Sequence, residues 1–257
     1  MKFSANIGFL WNELPLTDAI KAAKAAGFDA VECHFPYGTP AAAVASTLEE
    51  TGLPMLGLNT VRGQEGENGL AALPGRERDA RRAIEQAIEY AAEIKAKNVH
   101  VMAGTADGEM ACSTYMANLE YAAEIAEPYE LTILMEPLNH LDAPGYFLKN
   151  TSQASDIIQK LARPNVKLMF DSYHVQITEG DLTRRLARLQ PIIGHIQFAS
   201  VPDRGPPDCG EIDYDHIFAT IAELGFEMPL GAEYRPAGRT EDSLKWLSNI
   251  KSKERIK

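Results

Sequence analysis

Two kinds of segment alternate along the chain, and each has its own pattern of apolar positions. Short, continuously apolar and β-branched segments indicate buried strands, whereas apolar residues that recur every three or four positions, as at Ile84, Ala87, Ile88 and Ala91, are typical of helices. Strands are expected at 3–8, 28–32, 53–59, 98–103, 131–136, 166–171, 193–198 and 229–233. Helices are expected at 16–26, 40–51, 76–96, 113–127, 151–161, 181–189, 213–224 and 241–252.

Residues at the predicted boundaries agree with this alternation. Gly27, Gly52 and Gly225 each follow a predicted helix just before a strand, where a left-handed residue commonly ends a helix. Asn150 and Asp213 precede predicted helices and are residue types that favour the N-cap position. The boundaries therefore support eight strand–helix pairs.

Eight such pairs in 257 residues predict a (β/α)8 barrel, the TIM barrel, as a single domain over 1–257. The alternative is a doubly wound open sheet, which usually carries a glycine-rich phosphate loop after an early strand. Neither GxGxxG nor GxxxxGK[ST] occurs in the sequence, so the barrel is favoured. The long segment 60–75 follows the third strand on the face where barrels bind substrate, a position suited to a lid.

Oxygen-bearing side chains come at the ends of four consecutive predicted strands. Glu136, Asp171 and Glu233 end the fifth, sixth and eighth strands, and Gln197 lies near the end of the seventh. Barrel chemistry is located at these strand ends, and neighbouring strands lie about 4.8 Å apart, so the four groups can converge. Any one of them alone is equally well explained as a helix cap or a surface ion pair. The four in register predict one site.

Three carboxylates at one point would repel one another and would be costly to desolvate. A divalent cation removes this conflict. Three carboxylates and one amide oxygen form a hard, all-oxygen ligand set, which suits Mg²⁺ or Mn²⁺ better than Zn²⁺. The sequence therefore predicts a divalent metal, Mg²⁺ or Mn²⁺, bound by Glu136, Asp171, Gln197 and Glu233.

Three histidines lie on or beside predicted strands. His174, in DSYH on the predicted loop after strand six, is a candidate substrate ligand, with a surface loop histidine as the alternative. His100, inside strand four, is as well explained by a core histidine as by a substrate contact. His195 lies deeper in strand seven than Gln197, and we expect a structural role for it.

Charged residues in the loops give further candidates for substrate binding. Arg204, in VPDRGPPDCGE, has the geometry to hold a carboxylate in bidentate fashion, and the alternative is a solvated arginine. Asp142, in EPLNHLD, is a candidate of the same kind. Glu32, at the end of strand two, is explained equally well by a functional role and by a structural one.

The overall charge argues against two classes of binding partner. A formal net charge of -11 argues against nucleic acid and against anionic membrane surfaces as partners, because both need clustered Lys and Arg. The N-terminus has no apolar run typical of a signal peptide, and three scattered cysteines favour a reducing, cytoplasmic location. The expected partner is a small hydroxy-oxo acid or sugar, with self-association into a homo-oligomer left open.

Several stretches carry a family resemblance. They are NVHVMAG, ILMEPLN, PGYFL, KLMFDSYHVQITEGDL, GHIQFASVPDR, GEIDY and GAEYRPAGRTED. Together they resemble the hydroxypyruvate isomerase family, which belongs to the xylose isomerase-like TIM barrels and includes 2-oxo-tetronate isomerases. The resemblance covers nearly the whole chain, and it departs at NTVRGQE, where the family often has NTPPGDW. Arg62 in this stretch adds a positive charge near an anionic substrate.

The resemblance implies roles for the same residues. The family's metal positions correspond to Glu136, Asp171, Gln197 and Glu233, and its acid/base pair corresponds to Glu136 and Glu233. Related ketose 3-epimerases usually have a histidine at the position of Gln197, so the glutamine favours the hydroxypyruvate isomerase branch. The histidine of their DxxH motif, which contacts substrate oxygens, corresponds to His174.

The resulting hypothesis is an aldose–ketose type isomerase, an intramolecular oxidoreductase. It would convert hydroxypyruvate into tartronate semialdehyde through a metal-stabilised enediolate, with hydride shift as the alternative route. The alternative functions are a 2-oxo-tetronate isomerase, a ketose 3-epimerase of the tagatose epimerase type and a non-catalytic sugar-acid binding protein. A nuclease of the endonuclease IV type would need a histidine-rich zinc site and a basic surface, which only six histidines and an acidic chain disfavour.

Overall fold

Eight parallel strands form a barrel in the computed structural model, which describes residues 1–254, with side chains described through residue 252. The last three residues of the predicted domain, 255–257, lie outside the described residues. The strands are β1 (Phe3–Asn6), β2 (Ala30–Glu32), β3 (Gly57–Asn59), β4 (Asn98–His100), β5 (Thr132–Met135), β6 (Val166–Asp171), β7 (Ile193–Phe198) and β8 (Leu230–Ala232). The predicted TIM barrel is confirmed.

The barrel closes between β2 and β3. Parallel ladders run in the order β2-β1-β8-β7-β6-β5-β4-β3, and a parallel bridge between Val31 and Met55 joins the two ends. The N–H of Cys33 donates to the carbonyl of Gly57 at 3.0 Å, and the N–H of Leu56 donates to the carbonyl of Val31 at 2.7 Å. Closure leaves no free sheet edge, so all eight strand ends point to one rim.

Helices follow the strands around the outside of the barrel. They are α1 (Leu16–Ala26), α2 (Ala41–Thr51), α3 (Glu77–Glu93), α4 (Gly108–Ala126), α5 (Thr151–Leu161), α6 (Ser172–Thr178), α7 (Leu182–Leu189), α8 (Tyr214–Glu223) and α9 (Lys245–Glu254). Short 3₁₀ turns occupy Pro36–Gly38, Glu127–Tyr129, Gln190–Ile192 and Thr240–Ser243. None of the helices within residues 1–254 combines the length and the apolar character needed to cross a membrane.

Several predicted bounds differ from the observed ones, and three of the differences have a local explanation. Strands β2 and β3 are shorter than predicted. Apolar residues next to β3, such as Leu53 and Met55, are buried but lie outside the strand, and their apolar character made the predicted strand too long. Helix α4 begins at Gly108, whereas it was predicted to begin near 113. The first turn was missed because it is exposed and has no apolar periodicity. The predicted loop after strand six is wrong at 172–178, where α6 forms with Asp171 as its N-cap.

The segment 60–75 is only partly free of the barrel. Its second half is fixed, because Ala72 donates a backbone hydrogen bond to the carbonyl of Ala103 at 2.7 Å and Leu70 is buried. Gly69 pairs with Ala103, and its φ of 124° is one that a glycine adopts without strain. The exposed part is 62–66, at the rim of the barrel.

Helix α5 gives a direct test of the predicted N-caps. The Asn150 side chain accepts a hydrogen bond from the N–H of Gln153 at 2.8 Å. Replacing Asn150 by alanine should lower the free energy of unfolding by about 1 kcal/mol, measured by urea denaturation followed by far-ultraviolet circular dichroism. The control is Ser152→Ala in the exposed first turn of the same helix, which should change it by less than about 0.5 kcal/mol. Equal losses in both variants would contradict the capping role.

Candidate active site

A cavity of about 660 Å³ opens at the carboxyl ends of the strands. Its wall includes Glu136, which directly follows β5, and His100, the last residue of β4. His174 from α6 and Arg204 from the loop after β7 also line it. The face that carries barrel chemistry therefore holds these four side chains, all of which were predicted from the sequence as site residues.

Three predicted site residues come together on the β5–β6 side. Glu136, Asp171 and His174 are all buried, and each offers an oxygen or nitrogen atom within 4.8 Å of the others. Within the described residues this is the only cluster of three or more histidine, cysteine or acidic side chains close enough to hold a metal ion. From residues 1–252 Glu136 accepts no hydrogen bond, and its Oε2 lies 3.5 Å from His100 Nδ1.

Glu233 lies directly after β8 and is surrounded by donors. Its Oε2 accepts a hydrogen bond from Arg204 Nη2 at 2.6 Å. Its Oε1 accepts from Asn6 Nδ2 at 2.9 Å and from His34 Nε2 at 2.8 Å. Because a carboxylate only accepts, these contacts hold Glu233 ionised and in one orientation.

Asn6 and His34 were not among the predicted site residues. Asn6 ends β1, and His34 follows β2 by two positions, so both occupy the same rim as the predicted ligands. A Cβ on Gly8 would lie 2.2 Å from His34 Nδ1, so this approach of the ring requires glycine at position 8. The strand-end rule missed both, because the first strand was predicted to continue to residue 8 and His34 lies beyond the predicted end of the second.

The position of Arg204 differs from the expected one. Its guanidinium bonds to Glu233, lies 3.4 Å from both Asp171 Oδ2 and Asp142 Oδ2, and is sandwiched between the rings of Phe9 and Tyr173. The predicted solvated alternative is wrong, because the residue is only 8% exposed. Arg204 neutralises carboxylates of the site itself, and Asp142 lies at the rim, where its Oδ2 accepts hydrogen bonds from Arg204 Nη1 and Asn139 Nδ2, both at 3.4 Å.

The tautomer of His174 follows from its partners. Asn139 donates to His174 Nδ1 from its backbone N–H at 3.0 Å and from its side-chain Nδ2 at 2.8 Å. The Asn139 amide is fixed in this orientation, because its Oδ1 accepts backbone N–H groups from Leu141 and Asp142. Neutral His174 therefore carries its proton on Nε2, which faces the cluster as a donor rather than as a metal ligand.

Gln197 lies one strand away from Asp171, in register with it. Its Nε2 donates to Glu32 Oε1 at 2.8 Å, whereas its buried Oε1 has no hydrogen-bond partner in the described part of the chain. His195 Nε2 lies 2.7 Å from the other oxygen of Glu32, in keeping with the structural role expected for it. An unpartnered buried oxygen costs free energy unless something else binds it.

Burial and mutual repulsion shift the pKa values of these groups. The pKa of Glu136 lies well above its usual range because of burial and the nearby charges of Glu233 and Asp171. Burial raises the pKa of Asp171 to about 8 against the opposing effect of Arg204. Burial also acts to raise the pKa of Glu233, but Arg204 and His34 outweigh it and hold that pKa below its usual range.

Two histidines of the cavity, His100 and His174, are neutral for the same reason. Burial lowers the pKa of His100 to about 3. Burial and the charge of Arg204 hold the pKa of His174 well below its usual value. Both ring nitrogens of His100 lack a hydrogen-bond partner among the described residues, so its N–H is available to a substrate oxygen.

Known proteins share this architecture over almost the full chain. The xylose isomerase-like TIM barrel model matches residues 20–250. The chain belongs to the xylose isomerase-like TIM barrel family. It is 43% identical to 2-oxo-tetronate isomerase from Cupriavidus necator, covering 96% of this chain and 97% of that one. It is 34% identical to hydroxypyruvate isomerase from Escherichia coli, covering 96% and 98%.

A solved structure agrees with the same fold. AP endonuclease, family 2, from Brucella melitensis superposes with a TM-score of 0.93 at 36% identity, covering 96% of this chain and 98% of that one. The predicted relation to the hydroxypyruvate isomerase family, and with it the prediction of an isomerase, is confirmed by the curated relatives. Within this xylose isomerase-like barrel, the roles of the individual residues remain predictions.

The residues of this family member fit a divalent cation. Burial raises the pKa of both Glu136 and Asp171, and the charge of Asp171 raises that of Glu136 further; a cation beside the two carboxylates would oppose these shifts. Gln197 supplies a buried oxygen with no hydrogen-bond partner among residues 1–252, and Arg204 Nη2 bonds both Glu233 and Asp171 across the intervening strand β7. The donor set is made of oxygen atoms, as Mg²⁺ and Mn²⁺ prefer.

Proposed function

We propose that the protein isomerises a small 2-oxo-3-hydroxy acid, with hydroxypyruvate and tartronate semialdehyde as the leading pair. The observation that carries this proposal is the buried cluster of Glu136, Asp171 and His174, with Gln197 in register with Asp171 on the next strand and Glu233 directly after β8. Glu136 lies beside the neutral histidines His100 and His174, and Asp171 lies 3.6 Å from His174; Glu136 and both histidines line a cavity open to small molecules. The names of the relatives support the same reaction class.

Glu136, Asp171, Gln197 and Glu233 would hold a divalent cation, Mg²⁺ or Mn²⁺. Bound there, such a cation would polarise the substrate carbonyl and stabilise negative charge on two adjacent oxygens. Asp171 and Gln197 act as ligands only. Glu136 and Glu233 also handle protons, because both are buried carboxylates that directly follow strands at the rim where the cavity opens.

The reaction needs one group that takes a proton and one that gives it back. One of the two glutamates removes the proton from the carbon beside the carbonyl, and an enediolate forms. The other glutamate delivers a proton to the neighbouring carbon. Because the reaction is reversible, the two residues exchange the roles of acid and base between the directions. His174 Nε2–H and the N–H of His100 donate hydrogen bonds to substrate oxygens.

Charges at the rim favour an acid over a neutral sugar. Arg62 lies over the ring of Phe35 at 5.1 Å, and Arg235 lies over the ring of Phe9 at 5.3 Å. Both arginines line the cavity and are exposed, and neither has a carboxylate partner among residues 1–252. Two oriented guanidinium groups on an otherwise acidic protein suit the carboxylate of a 2-oxo acid.

A four-carbon 2-oxo-tetronate is the second candidate substrate. The cavity of about 660 Å³ leaves room for an acid longer than the three carbons of hydroxypyruvate. A nuclease is not favoured, because the acidic chain offers no clustered basic surface for a phosphate backbone. A cytoplasmic location fits the three free cysteines.

The substrate assignment is tested with the purified protein loaded with Mn²⁺ or Mg²⁺. Hydroxypyruvate, 2-oxo-tetronates, fructose and tagatose are offered in parallel, and the products are identified by NMR. Turnover of the acids with the ketoses unchanged supports the proposal. Epimerisation of a ketose at carbon 3, or no turnover of any compound by metal-loaded protein, rejects it. Deuterium at the migrating position washes out into solvent under proton transfer and is retained under hydride shift.

The rim arginines give a prediction about binding. Replacing Arg235 by glutamine should raise KM for the acid substrate about 10-fold with kcat changed less than about 3-fold, because the lost contact serves bound substrate and transition state alike. Steady-state kinetics check this. The matched control is Arg239→Gln, an exposed arginine of the same loop that contacts Glu241 instead, and it should keep the wild-type KM. An unchanged KM in Arg235→Gln removes this residue from substrate binding.

A further inference from the structure

A buried polar chain lies beneath the candidate metal site. Glu32 is 3% exposed and accepts three hydrogen bonds. Its Oε1 accepts from Gln197 Nε2 at 2.8 Å and from Asn6 Nδ2 at 3.1 Å, and its Oε2 accepts from His195 Nε2 at 2.7 Å. Neither the catalytic pair nor the four proposed ligands include Glu32, so its burial requires another explanation.

The side-chain amide of Gln197 can adopt two orientations, which exchange the positions of its oxygen and its NH₂ group. An amide ligates a hard cation only through its oxygen, since its NH₂ group has no free lone pair for the metal. In the structure the NH₂ group points to Glu32, and the buried oxygen has no hydrogen-bond partner in the part of the chain whose side chains are described. The reversed amide would place its oxygen against the carboxylate of Glu32, where two acceptors repel each other.

We propose that Glu32 is a positioning residue that fixes the side-chain oxygen of Gln197 toward the metal site. The inference rests on the proposed metal-dependent function. This explains how an amide can act as a metal ligand at position 197. The carboxylate of Glu32 binds the NH₂ group, so the oxygen is the atom that faces the metal site, whereas an amide without such a partner could turn either atom toward it. A hydrogen bond to a carboxylate also polarises the amide and strengthens its oxygen as a ligand.

Glu32 is itself held in place by the fold. His195 and Asn6 bind its two oxygens, and the side-chain oxygen of Asn6 accepts the N–H of Gly8 at 3.0 Å, which fixes the Asn6 amide. A Cβ on Gly231 would lie 2.5 Å from Glu32 Oε1 and 2.8 Å from Gln197 Cγ. Only glycine at position 231 therefore leaves room for the contact between Glu32 and Gln197.

The same chain reaches a second proposed ligand. Asn6 Nδ2 donates to Glu32 Oε1 and also to Glu233 Oε1 at 2.9 Å. Glu32 is therefore joined directly to Gln197 and through Asn6 to Glu233. Outer partners of this kind typically change metal affinity by about 10- to 100-fold when they are removed. The expected effect of losing Glu32 is of that size.

The test measures the Kd for Mn²⁺ by isothermal titration calorimetry on the purified full chain. Glu32→Ala should raise the Kd about 10- to 100-fold, and the isosteric Glu32→Gln, which keeps one acceptor oxygen, should raise it less. His195→Gln is the matched control, because it changes the contact to Oε2 and leaves the bond between Oε1 and Gln197. It should raise the Kd by less than about 3-fold.

A double-mutant cycle separates positioning from general loss of structure. In a Gln197→Ala background there is no amide to orient, so adding Glu32→Ala should change the Kd by less than about 3-fold. An equal loss of affinity in both backgrounds overturns the positioning role and assigns Glu32 to fold stability, which thermal melts report separately. Wild-type affinity in Glu32→Ala overturns this inference alone. Absence of Mn²⁺ binding by the wild-type protein overturns the proposed metal site as well.

Discussion

Replacement of Glu233 by glutamine should lower kcat with a 2-oxo-3-hydroxy acid by about 1000-fold, because the amide neither takes nor gives a proton at the reacting carbons. The amide keeps the volume of the side chain and can still accept hydrogen bonds from Asn6 and His34 through its oxygen. Steady-state and single-turnover kinetics, with metal content and melting temperature measured on the same samples, separate lost chemistry from lost metal or lost fold.

The control for Glu233→Gln is Glu13→Gln. Glu13 is an exposed carboxylate on the wall of the same cavity, so its removal changes the local charge equally. We expect kcat within about 3-fold of the wild-type value for this control. A Glu233→Gln variant that loads metal and retains kcat within about 10-fold of wild type contradicts the acid/base role and leaves Glu233 as a binding group.

The second large effect concerns metal binding. Asp171→Asn should raise the Kd for Mn²⁺ at least about 100-fold, because loss of a charged ligand exceeds the usual effect of losing an outer partner. The side chain has two separate tasks. Its Oδ1 accepts the N–H of Tyr173 at 2.9 Å as the N-cap of α6, whereas its Oδ2 faces His174 Nε2 at 3.6 Å and Arg204 at 3.4 Å.

Asparagine preserves the first task of Asp171 and removes the second. The amide oxygen can cap α6, so the melting temperature should change little while calorimetry reports the loss of metal affinity. Asp142→Asn is the matched control, since this carboxylate also contacts Arg204 but lies at the rim, with its side chain 29% exposed. It should keep the wild-type Kd. Equal affinity in both variants would falsify Asp171 as a ligand.

Much of the site could be predicted because of one geometric rule. All strands of a parallel barrel end at one rim, so a polar residue at a strand end is placed near the others without knowledge of packing. Glu136 and Glu233 were found in this way, directly after β5 and β8. The same rule missed Asn6 and His34, because the first strand was predicted to continue to residue 8 and His34 lies two residues beyond the predicted end of the second.

Other features of the site lay beyond the sequence pattern. Helix α6 was missed because two helical turns have too few residues for a periodic apolar pattern, and its start depends on the side chain of Asp171. The partners of Arg204 were missed because its loop carries no periodicity at all. Its contacts with Glu233 and Asp171 join residues separated by about 30 positions in the chain.

The sequence by itself determined the barrel, the order of its elements and the rim where the chemistry lies, because apolar periodicity and strand ends are local properties. Only the tertiary structure decided which side chains at the rim bind one another. It gave His174 a donor nitrogen through Asn139, placed Arg204 on carboxylates of the site, and set Glu32 behind Gln197. Donor and acceptor roles depend on which partners approach each atom in space, and residues far apart in the sequence supply those partners.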